Sequence, residues 1–137
     1  MHSDPAVDEK KRLKSAKRLL SFAYLIAPEM KYVHEVRAET AEECWPLFSN
    51  TFSVMNNDLQ SSLSRVGDWL MKSDMTGPYR EYREQLQLIS NTKPGIDLVL
   101  KCPEHLWFLD SLLEVFPDAC IVWTHRDPVA SVASYCS

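Results

Sequence analysis

The sequence reads as an α/β protein, a parallel sheet flanked by helices, of which this chain holds a part. Three observations carry that expectation. Leu98 to Leu100 and Cys120 to Trp123 are apolar runs without polar alternation, as strands covered on both faces are. Between them Leu106, Leu109, Leu113 and Phe116 fall at i, i+3, i+7 and i+10, with Phe108, Leu112 and Val115 widening the stripe, so the connection is a helix that buries more than one side. After Trp123 the pair Asp127 and Pro128 supplies an N-cap and a first-turn proline, the start of a second helix. Residues 97–137 therefore form a β-α-β-α unit, and a crossover of that length joins parallel strands in the right-handed sense.

One domain is expected for 137 residues, with residues 1–90 a helical surround and 97–137 the β-α-β-α core. Asp4 and Pro5 open a helix that runs to about Ala27. Leu13, Ala16, Leu20, Ala23 and Ala27 form its apolar stripe, and Lys10, Lys11, Arg12, Lys14, Lys17 and Arg18 cover the remainder as a solvated face. Pro28 ends it. Residues 29–39 are irregular, and His34 there is read as structural or exposed. Thr40 with Glu43 spells a capping box for a helix to about Val54, which Pro46 should kink or delay. Residues 56–64 are polar and loop-like, and Val66 to Met71 is a short helix. Met75, Gly77 and Pro78 mark a turn, after which Tyr79, Tyr82, Leu86 and Ile89 repeat at helical spacing until Asn91 to Gly95. Core packing is the default reading of those tyrosines, and lining of an acceptor pocket the other. Pro103 suits a first helical turn, Pro117 should end that helix, and Val129, Val132, Ala133 and Cys136 make the sheet-facing stripe of the last one.

Composition narrows the function. A sequence 45% hydrophobic and 25% charged belongs to the soluble globular class, and a net charge of −4 argues against general nucleic-acid affinity. No apolar run approaches a membrane span, and the N-terminus is charged rather than signal-like, which together point to the cytoplasm. Cys44, Cys102, Cys120 and Cys136 are widely spaced, with no C-x-x-C and no paired histidines at finger spacing. Small buried thiols are expected, and neither a zinc site nor a disulfide framework.

Chemistry should gather where the strands end. Parallel strands bring their carboxyl ends to one edge, and open α/β sheets bind ligands in the crevice outside it. Lys101 and Cys102 leave the first strand there, and Thr124, His125 and Arg126 leave the second. A guanidinium beside a helix N-terminus, with Ser131 and Ser134 further along that helix, suits an anionic oxygen cluster such as a phosphate.

The run K-C-P-E-H-L, then V-F-P-D-A-C-I-V-W-T-H-R-D-P, then a serine eight residues after the arginine, resembles the bacterial-type branch of the sulfotransferases that use 3′-phosphoadenosine 5′-phosphosulfate. The resemblance is strong from about Leu98 to Ser137 and weaker, though continuous, from Asp4 to Ile89. It implies a P-loop-NTPase-like three-layer fold and transfer of a sulfuryl group to a hydroxyl or amine on a small-molecule or glycan acceptor, without a metal. It also implies that Arg126 and Ser134 bind the 3′-phosphate of the nucleotide. The cytosolic branch carries a catalytic histidine two residues after a lysine at this strand end, whereas here Lys101 and His105 are four apart. His105 is the candidate base, or else a supporting hydrogen bonder, and Lys101 a candidate contact to donor or acceptor, or else a snorkelling side chain. The Gly/Ser/Thr-rich loop that grips the 5′-phosphosulfate in these enzymes has no counterpart, since Gly67, Gly77 and Gly95 stand in no phosphate-cradling pattern. The chain is accordingly expected to be the middle of a longer enzyme. A non-catalytic remnant or interaction module, and another nucleotide-binding α/β transferase such as a kinase-like enzyme, are the competing expectations.

Overall fold

The computed structural model describes residues 5–33, 36–55, 64–91 and 95–135, which fall into two units, Met1–Cys44 and Trp45–Ser137.

In the first unit, helix α1 (Pro5–Ile26) follows the expected bounds, with Pro28 two residues past its end, and a short α2 (Met30–Val33) succeeds it. Asp4, its expected N-cap, and His34 lie outside the described residues. One tyrosine hydroxyl ties the returning chain to α1: Tyr24 Oη accepts the Val36 N–H at 2.7 Å and donates to the Val36 carbonyl at 2.8 Å. Of the basic residues on α1, Lys17 forms an exposed ion pair with Glu39. The capping box at Thr40 is not made. Its hydroxyl instead donates to the Arg37 carbonyl at 3.3 Å, and no helix begins there.

The expected helix from Thr40 to Val54 shrinks to α3 (Trp45–Ser49), with Pro46 in its first turn. Proline has no N–H and its ring collides with the carbonyl four residues back, so a helix passing through residue 42 to residue 46 is blocked. Helix α4 (Ser64–Leu70) matches the short helix expected there. Helix α5 (Thr76–Ser90) starts earlier than Tyr79, because Gly77 and Pro78 occupy its first turn, where N–H groups have no intrahelical partner to lose.

Helix α5 is the spine of the second unit. Its face at Tyr79, Tyr82 and Leu86 is buried against Phe48 of α3 on one side and against α6 (Leu109–Val115) on the other. Val54, Leu70 and Met75 complete this core, each with no more than 1% of its surface exposed. Burial of side chains of this size contributes on the order of 1.5–3 kcal/mol each, so these helices hold most of the unit's stability. The stretch read as one helix from Pro103 to Phe116 is two pieces, a 3-10 turn (Pro103–Trp107) and α6, broken at Phe108 with φ −132° and ψ 37°. Of its two apolar sets, Phe108, Leu112 and Val115 are buried, while Leu106 and Leu113 remain 48% and 39% exposed.

The parallel sheet is the major correction. Among the described residues there is no β-strand, so the three-layer α/β architecture is not what this chain forms. Residues 97–101 and 120–124 lack a hydrogen-bonded ladder, with each other or with any other described segment. A strand exists only through its neighbour, and the layers that would cover two-sided apolar strands are not supplied either: Val99 is 99% exposed and Val122 82%. Cys120, expected inside a strand, is exposed, whereas Cys44 and Cys102 are buried. Helix α7 (Pro128–Tyr135) forms where expected, but Val129 and Val132 of its sheet-facing stripe have no sheet to meet and are exposed.

Candidate active-site groove

The two apolar runs, although unpaired, line a common groove of about 370 Å³ within the second unit. Its polar lining comes from Lys101, His105 and Thr124, and its apolar walls include Leu106, Leu109 and Trp123. The Pro103 to Phe116 stretch contributes Leu106, Leu109 and Leu112 to this groove, and α6 also packs on α5.

His105 sits in the 3-10 turn, where its N–H donates to the Cys102 carbonyl at 3.3 Å and its carbonyl accepts the Phe108 N–H at 3.2 Å. Its ring lies among Phe48, Tyr79 and Tyr82, with centroids 5.5, 5.5 and 5.6 Å away. Nδ1 is 2.9 Å from the hydroxyl of the buried Tyr79. The preceding residue, Glu104, is also buried, and its Oε2 accepts the Met55 N–H at 3.0 Å, which ties the chain after α3 to the turn that carries His105. An amide donor of this kind satisfies a carboxylate taken out of water.

Lys101 leaves the first apolar run at the groove and is exposed. On the second run Trp123 and His125 stack, with ring centroids 5.1 Å apart and planes 20° apart. Arg126 follows, exposed, at the head of α7, and among the described residues no ion pair joins it to Asp127 or Asp118. Asp127 caps α7 as its position implied: Oδ1 accepts the Ala130 N–H at 3.0 Å. The Ser131 hydroxyl donates back to the Asp127 carbonyl at 2.9 Å, a local helix bond. Ser134 lies in α7 eight residues after Arg126, and its side chain is outside the described set.

Lys101 and His105 are thus brought together on one groove, while Arg126 stands two residues beyond Thr124 at the adjoining helix start. Tyr79 was read as core or pocket lining, and its bond to His105, like the burial of Glu104, is what sequence reasoning missed. A buried tyrosine needs a partner for its hydroxyl, which was a usable signal, but the partner lies 26 residues away. No group of three or more metal-ligating side chains occurs among the described residues, nor any helix there long and apolar enough to cross a membrane. A family model described as Sulfotransferase family matches residues 1–137, the whole chain. Comparison with curated proteins and with solved structures gave no match.

Proposed function

The chain belongs to the sulfotransferase family, and from that premise we propose that it serves sulfuryl transfer from 3′-phosphoadenosine 5′-phosphosulfate to a hydroxyl or amine of a small-molecule or glycan acceptor. The observation that carries the reading is the exposed Arg126 beside the Asp127-capped start of α7, with Ser134 on the same helix and a groove holding Lys101 and His105 next to it.

In this reading Arg126 grips the 3′-phosphate with two parallel N–H bonds, a geometry that lysine cannot copy, and Ser134 adds a hydroxyl donor. The transfer breaks the bond between sulfur and the bridging oxygen of the 5′-phosphate and forms one between sulfur and the acceptor atom. The nucleotide leaves as the 3′,5′-bisphosphate, and the acceptor gives up one proton. Positioning and charge stabilisation do most of such work, as they do in phosphoryl transfer. Lys101 supplies positive charge at the groove for the developing anionic oxygens, and His105 is the second catalytic group.

Calorimetric titration tests the nucleotide half of this assignment. With 3′-phosphoadenosine 5′-phosphate as ligand, Arg126→Ala should weaken binding about 10- to 100-fold, the effect of losing hydrogen bonds to a charged partner. Binding of adenosine 5′-phosphate should change by less than about threefold. Equal losses for the two ligands, or a folded wild-type chain that binds neither, would sink the assignment.

A further inference from the structure

We propose that helix α1 seats on an anionic lipid surface, with its apolar end entered into the interface and its basic residues against the headgroup phosphates. The proposal uses neither the groove nor the sulfuryl-transfer reading.

Along one side of α1, Lys11, Lys14, Arg18, Phe22 and Leu25 recur at i, i+3, i+7, i+11 and i+14, and all five are exposed. Leu19 and Ile26 flank that line, and these two, like Phe22 and Leu25, keep more than half of their surface exposed. The opposite side carries Leu13, Ala16, Leu20, Ala23 and Tyr24, all half-buried. There the returning chain is fixed by the bonds between Tyr24 and Val36. The first unit therefore covers one side of α1 and leaves the other to a partner.

Charge and apolarity separate along this exposed side rather than around the helix. Its N-terminal part is cationic, and its last two turns are apolar. Six Lys and Arg residues stand in α1 against Asp8 and Glu9, in a chain of net charge −4. An anionic surface thus attracts this helix and repels the acidic remainder. Lys17, which pairs with Glu39, lies off the line. A fitting partner is anionic at one level and apolar at the next. A bilayer has that order with depth, since the acyl boundary begins about 5–10 Å inside the headgroup surface. Arg18 and Leu25 are about 10 Å apart along the axis at ~1.5 Å per residue, so a tilted α1 matches both layers. A second copy does not. Parallel α1 helices would set these cations against one another, and antiparallel ones would set them against Phe22 and Leu25. No described helix is long and apolar enough to cross a membrane, so the contact is with the interface.

Cosedimentation of the 137-residue chain with lipid vesicles tests the proposal. Vesicles of phosphatidylcholine with one third phosphatidylserine should bind it, and phosphatidylcholine alone should bind it at least about tenfold more weakly. Phe22→Ser and Leu25→Ser keep the charge and should each weaken binding about tenfold, through lost apolar burial. Lys11→Gln, Lys14→Gln and Arg18→Gln should each weaken it about fivefold. Lys72→Gln, at an exposed cation of the second unit, should change nothing. All five α1 positions are exposed, so helix content by circular dichroism should match wild type throughout. A folded wild-type chain that ignores the anionic vesicles overturns the proposal, as do cation variants that bind like wild type. Binding that Phe22→Ser and Leu25→Ser leave unchanged, matched by equal binding to soluble heparin, is charge attraction alone and overturns it too. So does a dimer formed without vesicles that Leu25→Ser dissociates, which would give this side of α1 to a second copy.

Discussion

Asp74 shows how one residue sets the start of the central helix. Its Oδ1 accepts the Thr76 N–H at 2.8 Å, one of the amides that a helix cannot satisfy by itself. That backbone bond, then the Thr76 hydroxyl, then the charge of Arg80, hold the Asp74 carboxyl below its ordinary value. A carboxylate whose folded value is depressed contributes stability that is present above its unfolded value and is lost as pH falls through the folded one. Asp74→Ala should therefore lower the melting temperature at neutral pH, and the gap to wild type should close in strong acid; thermal melts followed by circular dichroism at the two pH values check this. Nothing in the sequence singled out Asp74, because Met75, Gly77 and Pro78 read as a turn rather than as a capped first turn. The same gap separates what was legible of His105 from what was not. Its position in the turn after Pro103 could be read from the sequence, whereas its bond to Tyr79 and the Glu104 tie to Met55 depend on how distant segments pack.

At the level of elements, α1, α4, α5 and α7 were legible because caps, prolines and apolar spacing are local signals. The packed face of α6 was not. Two overlapping stripes run along Pro103 to Phe116, and periodicity does not say which one meets a helix and which one meets something else. The answer came from α5, whose aromatic face takes Phe108, Leu112 and Val115. Adjacent leucines then differ sharply. Leu112→Ala removes a side chain with 6% exposure and should destabilise by about 2–5 kcal/mol, the usual cost of a core cavity. Leu113→Ala, at 39% exposure, should stay within about 1 kcal/mol of wild type. Urea denaturation of the two variants gives the comparison directly. The link between Arg80 and Glu114, 3.7 Å apart and mostly solvated, adds little to this contact between α5 and α6.

For the whole molecule, the sheet is where sequence and structure part. Residues 98–100 and 120–123 have the composition of buried strands, but composition states what a segment needs as neighbours, and no described residue pairs with either run. The helical core needs no such neighbour, since α3, α5 and α6 bury one another. Hydrogen exchange should map this division: amides of residues 82–90 should be strongly protected, and those of 97–101 and 120–124 should exchange with little protection. Slow exchange across both apolar runs would contradict the unpaired arrangement. The division also has an optical side. Three of the four tryptophans, Trp69, Trp107 and Trp123, are more than half exposed, and Trp123 lines the groove, so most of the indole fluorescence looks outward onto solvent. Tyr79 and Tyr82, fixed against Phe48 and His105 with no free surface to speak of, are chromophores in a rigid asymmetric setting, and near-ultraviolet dichroism looks inward at them. The chain thus carries two separate spectroscopic windows, one on the groove and one on the packing that supports it.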